Sequence, residues 1–192
     1  MNTVDLHADI VPGEGAAGFQ LGVHLTQARS IFARVLRWDS ACGSLRDAVA
    51  QCDGWLQVPS AASYGERQGP SFYYRRGAVE LHFDDQGTLA TIALFNGYAG
   101  TLFGKVRIGD ELAGVTEFCD VVFDQDEDMH YPKDSAITGL AFGAEFEPLE
   151  RASSQRIFGI YIFRQPTQHD SGLDEKPDAA GDVRQLNGLG TG

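Results

Sequence analysis

The residues best suited to chemistry crowd into one stretch, Asp120-Val121-Val122-Phe123-Asp124-Gln125-Asp126-Glu127-Asp128-Met129-His130-Tyr131. Asp124, Asp126 and Asp128 repeat as the DxDxD opening of a calcium loop. Such a loop needs glycine at its sixth position and a bidentate glutamate at its twelfth. Met129 and Ser135 stand there instead. Three readings of the segment follow: a solvated acidic loop, a calcium loop lacking two key positions, or a loop that binds a protein. In the third, Asp120, Asp124, Asp126, Glu127 and Asp128 steer a basic partner, and Tyr131, with His130 beside it, anchors it.

Elsewhere the chemistry is sparse. The five histidines, His7, His24, His82, His130 and His169, form no pair at metal-ligand spacing. Cys119 with His130 would make a nucleophile and base, but a cysteine following an apolar helical face reads first as core. No GxSxG elbow or GxxxxGK[ST] phosphate loop is present. Gly97-Tyr98-Ala99-Gly100 lacks the helix N-terminus that an anion site needs. Tyr73-Tyr74-Arg75-Arg76 reads as a strand end with arginines reaching to solvent. Trp38 and Trp55 read as core. The expectation is a non-enzyme with no catalytic residues, no metal and no cofactor.

The elements that would position these residues read as follows. Residues 1–16 are an extended lead-in, and Phe19 to Gly22 a short strand. Leu25, Ala28, Ile31, Phe32, Val35 and Leu36 recur at helical spacing and predict a helix over 26–37. Ser44 and Asp47 open a second helix in the manner of a capping box. Residues 59–71, rich in Pro, Ser, Gly and Ala, read as loop. Then Phe72–Tyr74, Ala78–Phe83 and Thr88–Phe95 are strands, the last two joined by the turn Asp84-Asp85-Gln86-Gly87. Asp110 is a candidate N-cap for a helix bearing Leu112, Val115 and Phe118. Residues 120–135 read as irregular, 137–142 and 156–163 as strands, the last buried on both faces.

Leu21-Gly22 followed by Leu25, Ala28 and Ile31 echoes Ile108-Gly109 followed by Leu112, Val115 and Phe118. The echo is either a duplicated strand–helix–hairpin unit or a generic strand–turn–helix written twice. The fold expected is α+β: an antiparallel sheet with two or three short helices on one face. One domain spans 1–164, with halves at 17–100 and 101–164 if the duplication holds. Residues 165–192, an acidic, Gly-rich segment with few large apolar residues, read as a disordered tail.

The formal net charge of −12 argues against nucleic acid, which needs a basic footprint, and against an anionic membrane surface. It suits a basic protein partner. Cys42, Cys52 and Cys119 are too few and too scattered for a disulfide framework or zinc site, and read as buried thiols in a reducing compartment. No signal peptide or long apolar run is read, so the expected location is cytoplasmic.

The string Gly104-Lys105-Val106-Arg107-Ile108-Gly109-Asp110-Glu111-Leu112, the acidic segment, Gly139-Leu140-Ala141-Phe142 and a closing Ile-rich strand together resemble the small immunity proteins of bacterial toxin systems, such as contact-dependent inhibition and type VI secretion. The resemblance covers residues 72–163. It implies an acidic protein that neutralises a cognate protein toxin by covering its active site or an exosite. The alternative is a small-molecule- or metal-binding domain, or an enzyme whose site is assembled from scattered residues. The paired glycine-turn units are also similar to the duplicated architecture of the β-lactamase inhibitor protein. That family is disulfide-bonded and secreted, and the cysteines here depart from it, so no target and no functional residues carry over.

Overall fold

The computed structural model describes residues 4–32, 34–59, 62–63 and 66–164. In chain order it holds β1 (Gly15–Ala16), β2 (Phe19–Gln20), α1 (Leu25–Ala28), β3 (Val35–Arg37), α2 (Leu45–Gln51), β4 (Trp55–Val58), β5 (Ala62–Ser63), β6 (Glu66–Tyr74), β7 (Val79–Asp84), β8 (Leu89–Phe95), β9 (Val121–Asp124), β10 (Met129–Pro132), β11 (Leu140–Gly143) and β12 (Gly159–Phe163). Two 3₁₀ segments, Ser40–Cys42 and Leu112–Glu117, complete the list.

The fold is mainly β, which corrects the α+β expectation. One sheet runs β3-β4-β6-β7-β8-β12-β11-β10-β9, with β5 added to β6, and β1 and β2 form a separate pair. Only β3 and β4 are parallel; the other neighbours are antiparallel. Two antiparallel meanders, β4-β6-β7-β8 and β9-β10-β11-β12, meet through their last strands. The helices do not form a layer on one face. α1 gives its buried Ala28 to the core. α2 buries none of its residues fully, and it lies beside Tyr73 and Glu80 on the opposite face.

The helix predicted over 26–37 ends at Ala28. The apolar spacing beyond it serves another purpose: Phe32 enters an aromatic cluster, stacked on Phe72 at 4.1 Å and edge-on to Trp55 at 4.8 Å. Val35 then begins β3, where a β-branched side chain is at ease. α1 is capped by His24, whose ring accepts the Thr26 N–H at 3.3 Å while Gln27 Oε1 accepts the His24 N–H. α2 starts as the sequence indicates: Ser44 Oγ accepts the Asp47 N–H at 3.1 Å.

Within the stretch 59–71 read as loop, residues 62–63 are β5 and residues 66–71 begin β6. Its register slips between Gln68 and Ser71, where Gly69 and Pro70 sit. A bulge there accommodates a residue with no N–H to donate. The lead-in 1–16 is also more than a lead-in: Leu6 and Ile10 are in the core, and Ile10 bridges Leu102. The acidic stretch 120–135, read as irregular, is the β9–β10 hairpin. Asp110 does not cap a helix; its carboxylate accepts the Arg107 N–H, and the segment after it is 3₁₀.

The echoed glycines have matching surroundings. Gly22 (φ 82°) donates to Leu89 O and Gly109 (φ 92°) to Ile157 O, each at 2.8 Å. Three residues on, Leu25 donates to Gly87 O and Leu112 to Gln155 O. What recurs is a glycine turn and a short helical segment tied to the entrance of a meander's last strand, not a strand–helix–hairpin unit. The segment 165–192 lies outside the described residues.

Candidate functional site

A strand's side chains alternate between the two faces of its sheet. Register therefore assigns each residue a face. One row crossing all nine strands reads Val35, Trp55, Tyr74, Val79, Leu94, Ile160, Phe142, His130, Phe123. This is the inner face. It is covered by Leu6, Ile10, Phe19, Leu102, Leu112, Val115 and Ile157, all buried.

The next row reads Leu36, Leu56, Tyr73, Glu80, Ala93, Tyr161, Ala141, Tyr131, Val122, taking Tyr131 opposite Ala141 by one antiparallel step from His130–Phe142. Among the described residues, this outer face carries α2 only at the β4–β6 end. Over the rest it is a floor of small residues walled by aromatic rings. Ala93 and Ala141 are each 1% exposed because the half-buried rings of Tyr161 and Tyr131 stand beside them. Tyr161 meets Phe95 edge-on at 5.6 Å, and Tyr131 meets Phe163 edge-on at 6.3 Å. A cavity of about 610 Å³ opens here, lined by Thr91, Asp124, Glu127, Met129, Tyr131, Ala141, Tyr161, Phe163 and Arg164. Phe158 continues the face over Gly143, with Phe146 packed beside it; they are 46% and 65% exposed, too much for core residues.

The polar tips on this face are held neutral. Burial, then the charge of Glu80, pushes the Tyr73 phenol up to about 12. Burial and Glu80 also raise Tyr161. Tyr131 is raised by burial and by its hydroxyl, which donates to the Glu127 carboxylate. Each phenol therefore stays a hydrogen-bond donor at neutral pH, attached to a broad apolar ring, the combination that favours tyrosine as an interface anchor.

The seven residues singled out in the sequence divide. Asp124, Glu127 and Tyr131 come together on the outer face. Asp124 is also structural: its Oδ1 accepts the Asp126 and Glu127 N–H groups at 2.9 and 3.3 Å and closes the hairpin turn. Asp126 and Asp128 are exposed at the turn tip, Asp128 with φ 55°. Asp120 is exposed at the far end of β9 beside Lys133, whose N–H its carbonyl accepts. His130 is fully buried on the inner face and cannot meet a partner docked on the outer one. Its Nε2 lies 3.1 Å from Glu147 O, and burial lowers its pKa. Cys119 is buried, and burial raises its thiol, the opposite of an activated nucleophile. Cys52 is also a buried free thiol. Among the described residues no group of three or more His, Cys, Asp or Glu comes together to hold a metal.

Sequence reading misses Tyr161, Phe163 and Phe158. It predicts β12 buried on both faces, yet of its large side chains only Ile160 and Ile162 are closed in, and Tyr161 and Phe163 stay half-buried. The signal is the alternation itself, aliphatic with aromatic.

No protein-family model matches the chain, and no curated protein matches it. Among solved structures it is similar to the uncharacterized protein yfeY from Escherichia coli, at 13% identity and a TM-score of 0.45, over 62% of this chain and 88% of that one. A likeness that distant carries no argument about activity. Among the described residues no helix is long and apolar enough to cross a membrane.

Proposed function

We propose that this chain is a binding protein that neutralises a protein partner, in the manner of an immunity or inhibitor protein, by laying the outer face of its sheet over the partner's active site or an exosite. The observation that carries the reading is the open face itself. Among the described residues, nine strands devote one side to a closed core and leave on the other Tyr131, Tyr161, Phe163 and Phe158 over an alanine and glycine floor. An uncovered apolar patch with donor-bearing aromatics is the composition of an interface centre. Asp124 and Glu127 at its margin, with a net charge of −12, favour a basic partner. The reading includes no reaction and no cofactor, and it assigns the cytoplasm, where free thiols such as Cys52 and Cys119 persist.

The test is affinity capture from the native cell extract and secreted fraction on two columns, one bearing the wild-type protein and one bearing Tyr131→Ala/Tyr161→Ala. The wild-type column is expected to retain a basic protein whose activity it blocks, and the variant column to lose it. Equal retention on both columns contradicts the proposal.

A further inference from the structure

The two ends of the large sheet are β3 and β9, and among the described residues each has a strand neighbour on one side only. Open edges are templates for another strand. The two differ in charge. β3 with its preceding residue reads Arg34-Val35-Leu36-Arg37, and β9 with its preceding residue reads Asp120-Val121-Val122-Phe123-Asp124. Each has an exposed apolar residue at its centre, Leu36 at 62% and Val122 at 47%. Both centres lie in the same outer-face row.

The backbone matches as well. Trp38 N–H donates to Gln57 O, so in a parallel pair residues 36 and 38 bond inward to β4, and Val35 and Arg37 turn their N–H and C=O outward. Lys133 N–H donates to Asp120 O, so residues 120, 122 and 124 bond inward to β10, and Val121 and Phe123 turn theirs outward. Following the alternation along the sheet, β3 and β9 run in opposite directions.

We infer that β9 of one copy pairs antiparallel with β3 of a second copy, extending the sheet head to tail. One register satisfies every term. Val121 opposite Arg37 and Phe123 opposite Val35 exchange backbone hydrogen bonds. Val122 then faces Leu36, and Asp124 faces Arg34, in the close, non-hydrogen-bonded positions where cross-strand side chains interact most. Like edges are disfavoured, because Asp120 and Asp124 would meet their own kind in a β9–β9 pair, and Arg34 and Arg37 theirs in a β3–β3 pair. Such a contact is heterologous, so it adds copies in a chain rather than closing a two-fold dimer. The strands are short, which places the contact in the weak class of small interfaces. This inference concerns the protein alone and stands apart from the outer-face partner.

Sedimentation velocity of the purified full chain over about 10 µM to about 1 mM spans the range where weak contacts appear. The wild type is expected to gain mass with concentration. Val122→Lys and Leu36→Glu, at exposed positions that spare the fold, are each expected to remain monomeric, as is Arg34→Glu. An equimolar mixture of Val122→Lys with Leu36→Glu is expected to associate again, since the unaltered β9 of the Leu36→Glu copy then meets the unaltered β3 of the Val122→Lys copy, and where the altered edges meet, the introduced lysine faces the introduced glutamate. A wild type that stays monomeric throughout overturns the inference. So does association that survives in the single variants, or that fails to return in the mixture while each variant melts as the wild type does.

Discussion

The inner row from Val35 to Phe123 and the outer row from Leu36 to Val122 belong to the same nine strands and lie one residue apart. On the inner row Val79, Leu94, Ile160 and Phe142 are fully buried. On the outer row the large side chains at the sheet's middle are Tyr161 and Tyr131, and what is closed to water is the alanine between and beside them. The inner face buries large aliphatics against other parts of the chain, so its shape is already complementary to something. Away from the α2 end, where Leu56 is buried, the outer face buries only small residues under rings whose other sides meet water. The first is a core, and the second, among the described residues, is a surface with no such complement.

Truncation should separate the faces most sharply. Phe142→Ala opens a cavity in a dry core and is expected to cost about 3–5 kcal/mol in denaturant unfolding. Tyr161→Ala, with its ring only half-buried, is expected to cost less, the edge-on contact with Phe95 contributing about 0.5–1.5 kcal/mol beyond the smaller area its ring takes from water. Equal losses would show that the outer rings are core after all.

Two glycines sharpen the same contrast. Gly139 has φ 67°, and a Cβ there would collide with the Phe163 carbonyl and Gly13 backbone, which cannot yield. Gly139→Ala should cost about 1–3 kcal/mol from the strained conformation, with the clash in addition. A Cβ at Gly143 meets the Phe158 ring 2.6 Å away, and that ring is exposed and free to swing. Gly143→Ala should therefore cost less than Gly139→Ala, since it carries no left-handed strain and meets only the rings of Phe158 and Tyr161 rather than backbone. A thermal melt of both variants measures the difference.

His130 gives a smaller, pH-dependent effect. Burial holds its folded-state pKa below the ordinary value of 6.5. The neutral ring is favoured in the folded protein, so its contribution is full above about pH 6.5 and is lost as pH falls toward the folded pKa. His130→Gln should lose this decline, and subtracting its stability curve from that of the wild type isolates it from the carboxylates. A difference that stays constant between pH 7 and pH 5, about the range in which histidine titrates, would place the ring in solvent.

The parts of the fold that are legible in the sequence are those fixed by local pattern. Val79, Leu81 and Phe83 alternate with Glu80 and His82, and Asp84 to Gly87 is a turn, so the β7–β8 hairpin can be read directly. Ser44 with Asp47 marks α2 for the same reason. The parts that mislead depend on distant partners. Phe32 sits at helical spacing from Ala28, but the ring stacks on Phe72, forty residues away in the chain. Gly69 and Pro70 look like loop, yet β4 and β7 hold them in a bulged strand. In the candidate site, carboxylate density draws attention to the turn of the β9–β10 hairpin. That density locates one wall, Asp124, Glu127 and Tyr131, but takes in His130 as well, which strand parity puts on the other face. Tyr161 and Phe163 join the site through β12 pairing with β8 and β11, which no local pattern records.

The most direct measurement is calorimetric titration of the captured partner into the wild type and Tyr161→Ala, beside an unfolding curve for each. Removing an interface anchor costs about 2 kcal/mol or more, so affinity should fall by roughly thirtyfold or more, while stability changes by no more than the modest loss expected of an outer-face ring. Unchanged affinity for Tyr161→Ala, with the protein folded, would contradict the assignment of the outer face as the binding surface.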